Sequence, residues 1–238
     1  GHMRTLNISR SLYNIHSFIG NEVISDIHLG DWGMPIAQII TYLESKNIDI
    51  KILDSSQLEI IYPKASEMYK NNLEFRDRAQ VINKLLNNND KNLLQIWESI
   101  KKISIASLEE NFKILNHNFD YWLGESDVND LIPGMIEDLI KNNKVVDDEG
   151  ALISVEDTDP KILITKSDGS YLYITTDLAT ILYRQNNIGY HKTLYIVDNR
   201  QSLHFKQLFS SLKFFNFNDL DHEHIAYGTL NDSKGNPF

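Results

Sequence analysis

The sequence predicts an α/β protein in which two stretches of alternating strands and helices flank a long, mostly helical segment. The first stretch is predicted to run helix, strand, glycine-rich turn, helix. The last is predicted to alternate strand and helix and to end on a strand. Strands that alternate with helices pack as a parallel sheet through right-handed crossovers. The expected divisions are 1–45, a helical insertion at 46–160, and 161–238.

The composition is that of a globular protein, with 42% hydrophobic and 24% charged residues. No apolar run approaches the roughly 18 residues that cross a bilayer, so we expect no membrane association. The chain has no cysteine, which excludes disulfides and cysteine nucleophiles, and no signal peptide opens it, so a cytoplasmic protein is expected. The net charge of -10 disfavours sequence-independent binding to nucleic acid, because Lys and Arg supply most of that affinity.

The N-terminal and central segments are predicted to be mainly helical, because their apolar residues recur at helical spacing. The predicted helices cover residues 4–18, 34–43, 55–70, 74–86, 91–115 and 128–142. A short β-branched run at 22–27 predicts a strand that leads into the sequence HLGDWG at 28–33. Gly30 and Gly33 would let this backbone approach a ligand closely.

The remaining elements are predicted from alternation and turn residues. A polar, aromatic loop is expected at 118–126, and a hairpin with a tight turn at 145–155. Further along, strands are predicted at 161–166, 171–175, 193–197 and 224–227, with a turn at 168–169 and helices at 177–185 and 203–215.

Candidate binding residues concentrate between Ser167 and Phe205. Tyr173 and Asp177 lie four residues apart, so a helix beginning there would let the phenol and the carboxylate converge on one small ligand. Gln201 and His204 follow a buried strand, and open α/β sheets bind ligands beyond the carboxyl ends of their strands. Each residue also has a structural alternative, as a strand tyrosine, a helix cap or ordinary loop polarity.

Several familiar active-site motifs are absent from the sequence. It contains no GxxxxGK[ST] phosphate loop, no GxGxxG after a strand and no GxSxG elbow. His222 and His224 resemble a metal pair, but a third ligand is not evident and the intervening residue faces the other side of the strand, so no metal-binding residue is predicted.

Six sequence blocks together resemble the class I arginyl-tRNA synthetases, in order and in spacing, over essentially the whole chain. Class I synthetases in general share only the HIGH and KMSKS signatures, whereas several of these blocks are specific to the arginine enzyme. The blocks are HLGDWG (28–33), LGES (123–126), EGA (149–151), KSDGSYLYITTDLA (166–179), YIVDNRQSLHF (195–205) and HIAYGTL (224–230).

The resemblance implies a Rossmann-type catalytic domain whose two halves are separated by the connective insertion. It implies an arginine–tRNA ligase that uses ATP and Mg²⁺ to form arginyl adenylate and then charges the 3′ end of tRNA(Arg). The roles it implies are arginine binding by Tyr173, Asp177 and Gln201, and ATP binding by His204, Gly30 and Asp31. A planar guanidinium suits a carboxylate partner and an aromatic wall, which lysine cannot reproduce.

The ends of the chain bear on the two class I signatures. Gly1 and His2 can be read as the end of HIGH, or as residues left by a purification tag; we favour the native reading because Arg4 follows in register. His2 would then be a catalytic residue. We expect the first strand to be missing and the chain to stop before the KMSKS-equivalent loop, so that it is a fragment, inactive and unstable alone.

Two functions from different classes stay open. One is the catalytic core of an arginine–tRNA ligase, which contacts tRNA mainly through domains outside this chain and is monomeric when intact. The other is a catalytically silent, synthetase-like module that keeps the arginine pocket. A cysteine-specific synthetase is disfavoured because the chain has no cysteine to bind zinc.

Overall fold

The computed structural model describes residues 2–155, 161–167, 169–215, 217 and 220–235. The helices within these residues are α1 (His2–Phe18), α2 (Met34–Lys46), α3 (Ser55–Asn71), α4 (Leu73–Asn87), α5 (Lys91–Ile114), α6 (Glu125–Val128), α7 (Ile132–Lys141), α8 (Tyr173–Asn187) and α9 (Ser202–Phe214). The strands are β1 (Asp26–Leu29), β2 (Tyr121–Gly124), β3 (Val145–Asp148), β4 (Ala151–Ser154), β5 (Leu163–Thr165), β6 (Lys192–Asp198) and β7 (Asp221–Tyr227). Short 3₁₀ helices cover Ile50–Ile52, Asn129–Leu131 and Asn199–Gln201.

The chain divides into two compact units, one formed by residues 26–124 and the other by residues 1–25 together with 125–238. These limits do not coincide with the divisions expected at 45 and 160, and the assignment of 46–160 as the connective insertion stays a prediction.

The unit of residues 26–124 is built from α2 to α5 and a short parallel sheet. Strand β1 pairs with β2 in parallel, from Asp26 opposite Tyr121 to Leu29 opposite Gly124. The helices enclose a core of aliphatic and aromatic side chains that includes Ile40, Ala65, Ile82, Leu86 and Ile100. The first turn of α3 is closed by a capping box, in which Asp54 accepts from the Gln57 backbone and the Gln57 side chain accepts from Asp54.

Two predictions within this unit were wrong in detail. The strand expected at 22–27 begins only at Asp26, and the expected loop at 118–126 contains β2. The two errors have one cause, because a strand forms where its backbone finds a partner. The partner of β1 lies far away in sequence, and local propensity cannot reveal that pairing.

Within its described residues, the unit of residues 1–25 and 125–238 has two sheets. Strands β6 and β7 pair in parallel from Lys192 opposite Asp221 to Asp198 opposite Tyr227, as the alternating pattern predicted. Strands β3, β4 and β5 form an antiparallel sheet. Its first turn is the predicted tight turn, where Glu149 and Gly150 both have positive φ, 53° and 87°. The core of this unit joins residues of α7, α8 and α9, including Ile132, Leu139, Leu178, Ile181 and Leu208.

The strand predicted at 171–175 was wrong, and the structure shows α8 beginning at Tyr173. Its β-branched residues favoured a strand. Hydrogen bonding and packing decide otherwise. The hydroxyl of Thr175 donates to the Ile164 carbonyl at 2.5 Å, and that of Thr180 donates to the Thr176 carbonyl at 2.8 Å. With Leu178 fully buried, one face of the helix is fixed on the core.

A buried ion pair lies beneath the HLGDWG turn. Lys101 of α5 approaches Asp31 to 2.6 Å, and Asp31 is only 8% exposed. The indole of Trp97 donates to the Asp31 carbonyl at 2.6 Å, and Trp32 packs edge-on against Trp97, with ring centroids 5.1 Å apart. Gly124 lies directly against the carboxylate, so a Cβ there would stand 2.5 Å from Asp31 Cγ and Oδ2.

We therefore expect Gly124→Ala to displace Asp31 from Lys101 and to lower the free energy of unfolding by about 3 kcal/mol, since breaking a buried pair costs roughly that much. Urea unfolding of the full-length protein, followed by circular dichroism, measures the change. The matched control is Gly134→Ala in α7, where an added Cβ meets nothing within 4 Å. That variant should be about 0.5 to 1 kcal/mol more stable. Equal effects of the two substitutions would contradict the close packing of Gly124.

Candidate functional site

The carboxyl end of β6 carries a buried carboxylate, Asp198, that organises the turn after the strand. Its Oδ1 accepts from the Arg200 backbone at 3.0 Å and from Arg200 Nε at 2.9 Å. The hydroxyl of Thr229, two residues beyond β7, donates to its two oxygens at 3.0 and 3.1 Å. The Arg200 side chain and backbone N–H, aided by Thr229, hold the pKa of Asp198 at about 2.

Sequence reasoning missed Asp198. The available signal was an aspartate directly after a buried strand with an arginine two residues later. In such a turn the carboxylate accepts from the backbone N–H two positions on, which starts the 3₁₀ helix Asn199–Gln201.

The structure brings Asp177 and His204 together. Asp177 lies in the second turn of α8, and His204 lies in the first turn of α9. Nε2 of His204 donates to Asp177 Oδ2 at 2.6 Å, and each side chain is 28% exposed. A carboxylate offers about four lone-pair sites on two oxygens. Asp177 can therefore accept from His204 and from a cationic ligand at the same time.

Tyr173 and Gln201 flank this pair in sequence. Tyr173 opens α8 and lies one helical turn before Asp177, so both side chains share a helix face. Tyr173 is 73% exposed, which makes it accessible to a ligand. Gln201 is exposed at the end of the 3₁₀ helix and serves as the N-cap residue of α9, three positions before His204.

An aromatic layer supports His204 from the core side. Phe205 packs against His204 and Tyr195, with ring centroids 5.4 and 5.2 Å apart, and stacks on His224 at 4.6 Å. His224 also donates to the Val197 carbonyl at 3.1 Å. Burial raises the pKa of Tyr195 above its ordinary value, keeping the phenol neutral. His224 therefore has a structural role in this layer.

Gly30 and Asp31 lie in the other compact unit, at a cavity of about 260 Å³. The cavity is walled mainly by aliphatic side chains of α2 and α5, with Ser104 and the Asp31–Lys101 pair as its polar part. The carboxylate of Asp31 is thus engaged by Lys101, while the Gly30 backbone borders the cavity.

Two residues of the predicted site region, His2 and Asp168, lie wholly or partly outside the described residues. His2 begins α1, but its side chain lies outside the described residues, as does Asp168 of the predicted turn. Across the described part of the chain, no three His, Cys, Asp or Glu side chains cluster as a metal site would require. None of the helices described there is both long and apolar enough to span a membrane.

Comparison with known proteins identifies the family. Residues 1–238 match the family described as tRNA synthetases class I (R), catalytic domain. The chain therefore belongs to the catalytic domains of class I tRNA synthetases, and within them to the arginine (R) family. The α/β fold with parallel strands and many helices agrees with this assignment.

Named relatives agree on the same amino acid. The arginine–tRNA ligase of Francisella tularensis subsp. holarctica (strain FTNF002-00 / FTA) is 34% identical over 256 residues, and that of Alkaliphilus oremlandii (strain OhILAs) is 35% identical over 260. Each match covers 100% of this chain and 44% of the relative. The chain thus spans less than half the length of these relatives.

A solved structure shows the same fold. The crystal structure of arginyl-tRNA synthetase from Plasmodium falciparum superposes with a TM-score of 0.81 at 25% sequence identity. That match covers 96% of this chain and 40% of the solved chain.

The depressed pKa of Asp198 predicts a pH dependence of stability. A carboxyl whose pKa falls from 3.8 to about 2 on folding stabilises the fold above pH 3.8. That contribution is lost as the pH falls through about 2. Asp198→Asn should therefore lower the thermal unfolding midpoint relative to wild type at pH 7 and at pH 5, and the difference should shrink below pH 3.8. A difference that stays constant from pH 7 to pH 2 would show that ionisation of Asp198 plays no part.

Proposed function

We propose that the full-length protein is an arginine–tRNA ligase, which activates L-arginine with ATP and transfers the arginyl group to tRNA(Arg). The observation that supports this most is the Asp177–His204 pair, whose partly exposed carboxylate on α8 lies against the first turn of α9, in a chain of the arginine family. The relatives named arginine–tRNA ligase support the same substrate.

In this proposal Asp177 pairs with the arginine guanidinium. A guanidinium presents a planar fork of donors, and a carboxylate is its natural partner. The bond from His204 to Oδ2 holds the carboxylate in one orientation. Tyr173, exposed on the same face of α8, supplies an aromatic wall, and Gln201 supplies an amide at the start of α9.

The proposed activation is a displacement at phosphorus. A carboxylate oxygen of arginine bonds to the α-phosphorus of ATP, and the bond to pyrophosphate breaks, which gives arginyl adenylate. A ribose hydroxyl at the 3′ end of the tRNA then attacks the arginyl carbonyl, and AMP leaves. Such a reaction depends on positioning and charge stabilisation more than on a covalent catalyst. His204 in its unit, and Gly30 and Asp31 in the unit of residues 26–124, each remain a separate proposal for contacts with the nucleotide.

Mg²⁺ is proposed to arrive with the ATP phosphates. This ion keeps several waters and commonly uses only one or two protein carboxylates. The described residues offer no cluster of metal ligands, so none of them is assigned to it. A cytoplasmic location remains part of the proposal, because tRNA charging takes place where translation does. The proposed assembly of the intact enzyme is a monomer.

Asp177→Asn should weaken the use of arginine far more than the use of ATP. Bound arginine would cover the carboxylate, and removing one partner of a buried charged pair costs about 3 kcal/mol, so kcat/KM for arginine should fall by about a hundredfold. Arginine-dependent ATP–pyrophosphate exchange by the full-length protein, measured with and without tRNA(Arg), gives kcat/KM for arginine and kcat/KM for ATP.

Asp138→Asn is the matched control, since Asp138 is an exposed aspartate on α7. It should leave both constants unchanged. Arginine kinetics that are unaltered in Asp177→Asn would remove Asp177 from the pocket. Arginine binding without any exchange in the wild-type protein would instead support a catalytically silent module.

Tyr173→Phe should impair arginine use less than Tyr173→Ala does. The hydroxyl contributes at most a neutral hydrogen bond, worth about 0.5 to 1.5 kcal/mol, whereas Ala removes the whole wall. Both variants should unfold at the wild-type temperature, because the side chain is 73% exposed. Titration of arginine binding by calorimetry compares them, and equal losses of affinity would show that the hydroxyl alone matters.

A further inference from the structure

The three residues that end and follow β7, Tyr227, Gly228 and Thr229, contact two separate parts of their unit. We call them the 227–229 segment. Tyr227 and Thr229 are half-buried, and Gly228 is exposed. Tyr227 pairs with Asp198 in the last register of the β6–β7 ladder. The segment therefore leaves the sheet beside the turn that carries Gln201 and His204.

On one side the segment binds the first turn of α1. The Arg4 guanidinium donates through Nη1 to the Gly228 carbonyl and lies over the Tyr227 ring, 5.0 Å from its centroid. The next residue, Thr5, shares a hydrogen bond between its hydroxyl and the Tyr227 phenol. Two consecutive side chains of α1 are thus fixed to two consecutive residues of the segment.

On the other side the segment binds the turn after β6. The Thr229 hydroxyl lies 3.0 and 3.1 Å from the two oxygens of Asp198. Asp198 in turn accepts from the backbone and side chain of Arg200, which sets the 3₁₀ helix that ends at Gln201. The contacts thus run from Arg4 to the 3₁₀ helix that ends at Gln201, the N-cap residue of α9.

We propose that the 227–229 segment is a positioning element for the arginine site, and that Thr229 is its key residue. Through Asp198, Thr229 fixes the turn that presents Gln201 and the first turn of α9, while Tyr227 fixes the amino end of α1. The segment itself need not touch substrate. This inference rests on the proposed function, because its consequence is read in arginine activation.

The physical reason is the precision that a catalytic site requires. A misplacement of about 1 Å in a group remote from the reacting atoms can reduce a rate by about a hundredfold. Such groups hold their geometry only when hydrogen bonds and packing lock the side chains behind them. At the end of β7, Tyr227 supplies such a bond to Thr5 in the first turn of α1, and Thr229 supplies such bonds to Asp198 in the turn after β6.

The test uses near-isosteric deletions in the full-length protein. Thr229→Val removes the hydroxyl that reaches Asp198, and Tyr227→Phe removes the one that reaches Thr5 while keeping the ring under Arg4. Each should lower kcat/KM in arginine-dependent ATP–pyrophosphate exchange, Thr229→Val by about tenfold. Thr229→Ser, which keeps the hydroxyl, should restore most of the loss.

Thr193→Val is the matched control, because Thr193 lies half-buried near the opposite end of β6. It should leave kcat/KM for arginine unchanged even if the melting temperature falls. The Tyr227→Phe/Thr229→Val double variant should lose less than the product of the two single losses, since both act through one element.

The outcomes separate the two proposals. If the wild-type protein shows no arginine-dependent exchange, the proposed function fails and the positioning role fails with it. If the wild-type protein is active but Thr229→Val keeps its kcat/KM, or if Thr229→Ser is as impaired as Thr229→Val, only the positioning role is overturned. If Thr229→Val does not fold, Tyr227→Phe decides, and wild-type kinetics in that variant overturn the inference.

Discussion

The parallel pairing of β6 with β7 is the interaction on which the candidate site depends. Parallel strands end at the same edge of their sheet, so the segments that follow Asp198 and Tyr227 emerge side by side. One continues into α9 and carries Gln201 and His204, and the other carries Thr229. Their proximity follows from the ladder and needs no contribution from the loops beyond it. The loops add the hydrogen bonds that fix the exact geometry.

Helix α8 supplies the other half of the site through its position on the core. Its Leu178 and Ile181 pack in the core shared with α7 and α9, and Asp177, next to Leu178 in sequence, reaches His204 in the first turn of α9. The distance of 2.6 Å between Asp177 and His204 is the result. A side chain held by a hydrogen bond to a neighbouring helix loses little further freedom when a ligand binds, which favours affinity.

Sequence reasoning predicted most of this arrangement, and its errors have physical causes. Helical periodicity predicted the long helices correctly, because their buried faces repeat every three or four residues. The strand predicted at 171–175 was wrong because β-branched propensity was outweighed by burial and by the Thr175 hydrogen bond. Strand β2 was missed because its partner is distant in sequence.

The site residues show the same division between local and long-range information. The four-residue spacing of Tyr173 and Asp177 indicated a shared face before any fold was known. The contact of Asp177 with His204, and that of Asp198 with Thr229, join segments about thirty residues apart. Their geometry depends on tertiary packing, and no single-sequence pattern encodes it. The family resemblance supplies proposed roles for these residues, whereas the structure shows how their side chains are held.

In the proposed site Asp177 selects the charge of the arginine side chain, and binding of citrulline tests this role most directly. Citrulline has nearly the same shape as arginine, but a neutral urea group replaces the guanidinium. Calorimetric titration of the full-length protein should give an arginine affinity at least about tenfold higher than that for citrulline, since hydrogen bonds to charged groups are worth about 1.5 to 3 kcal/mol. Asp177→Asn should remove most of that difference. Equal affinities of the wild-type protein for the two ligands would contradict the account.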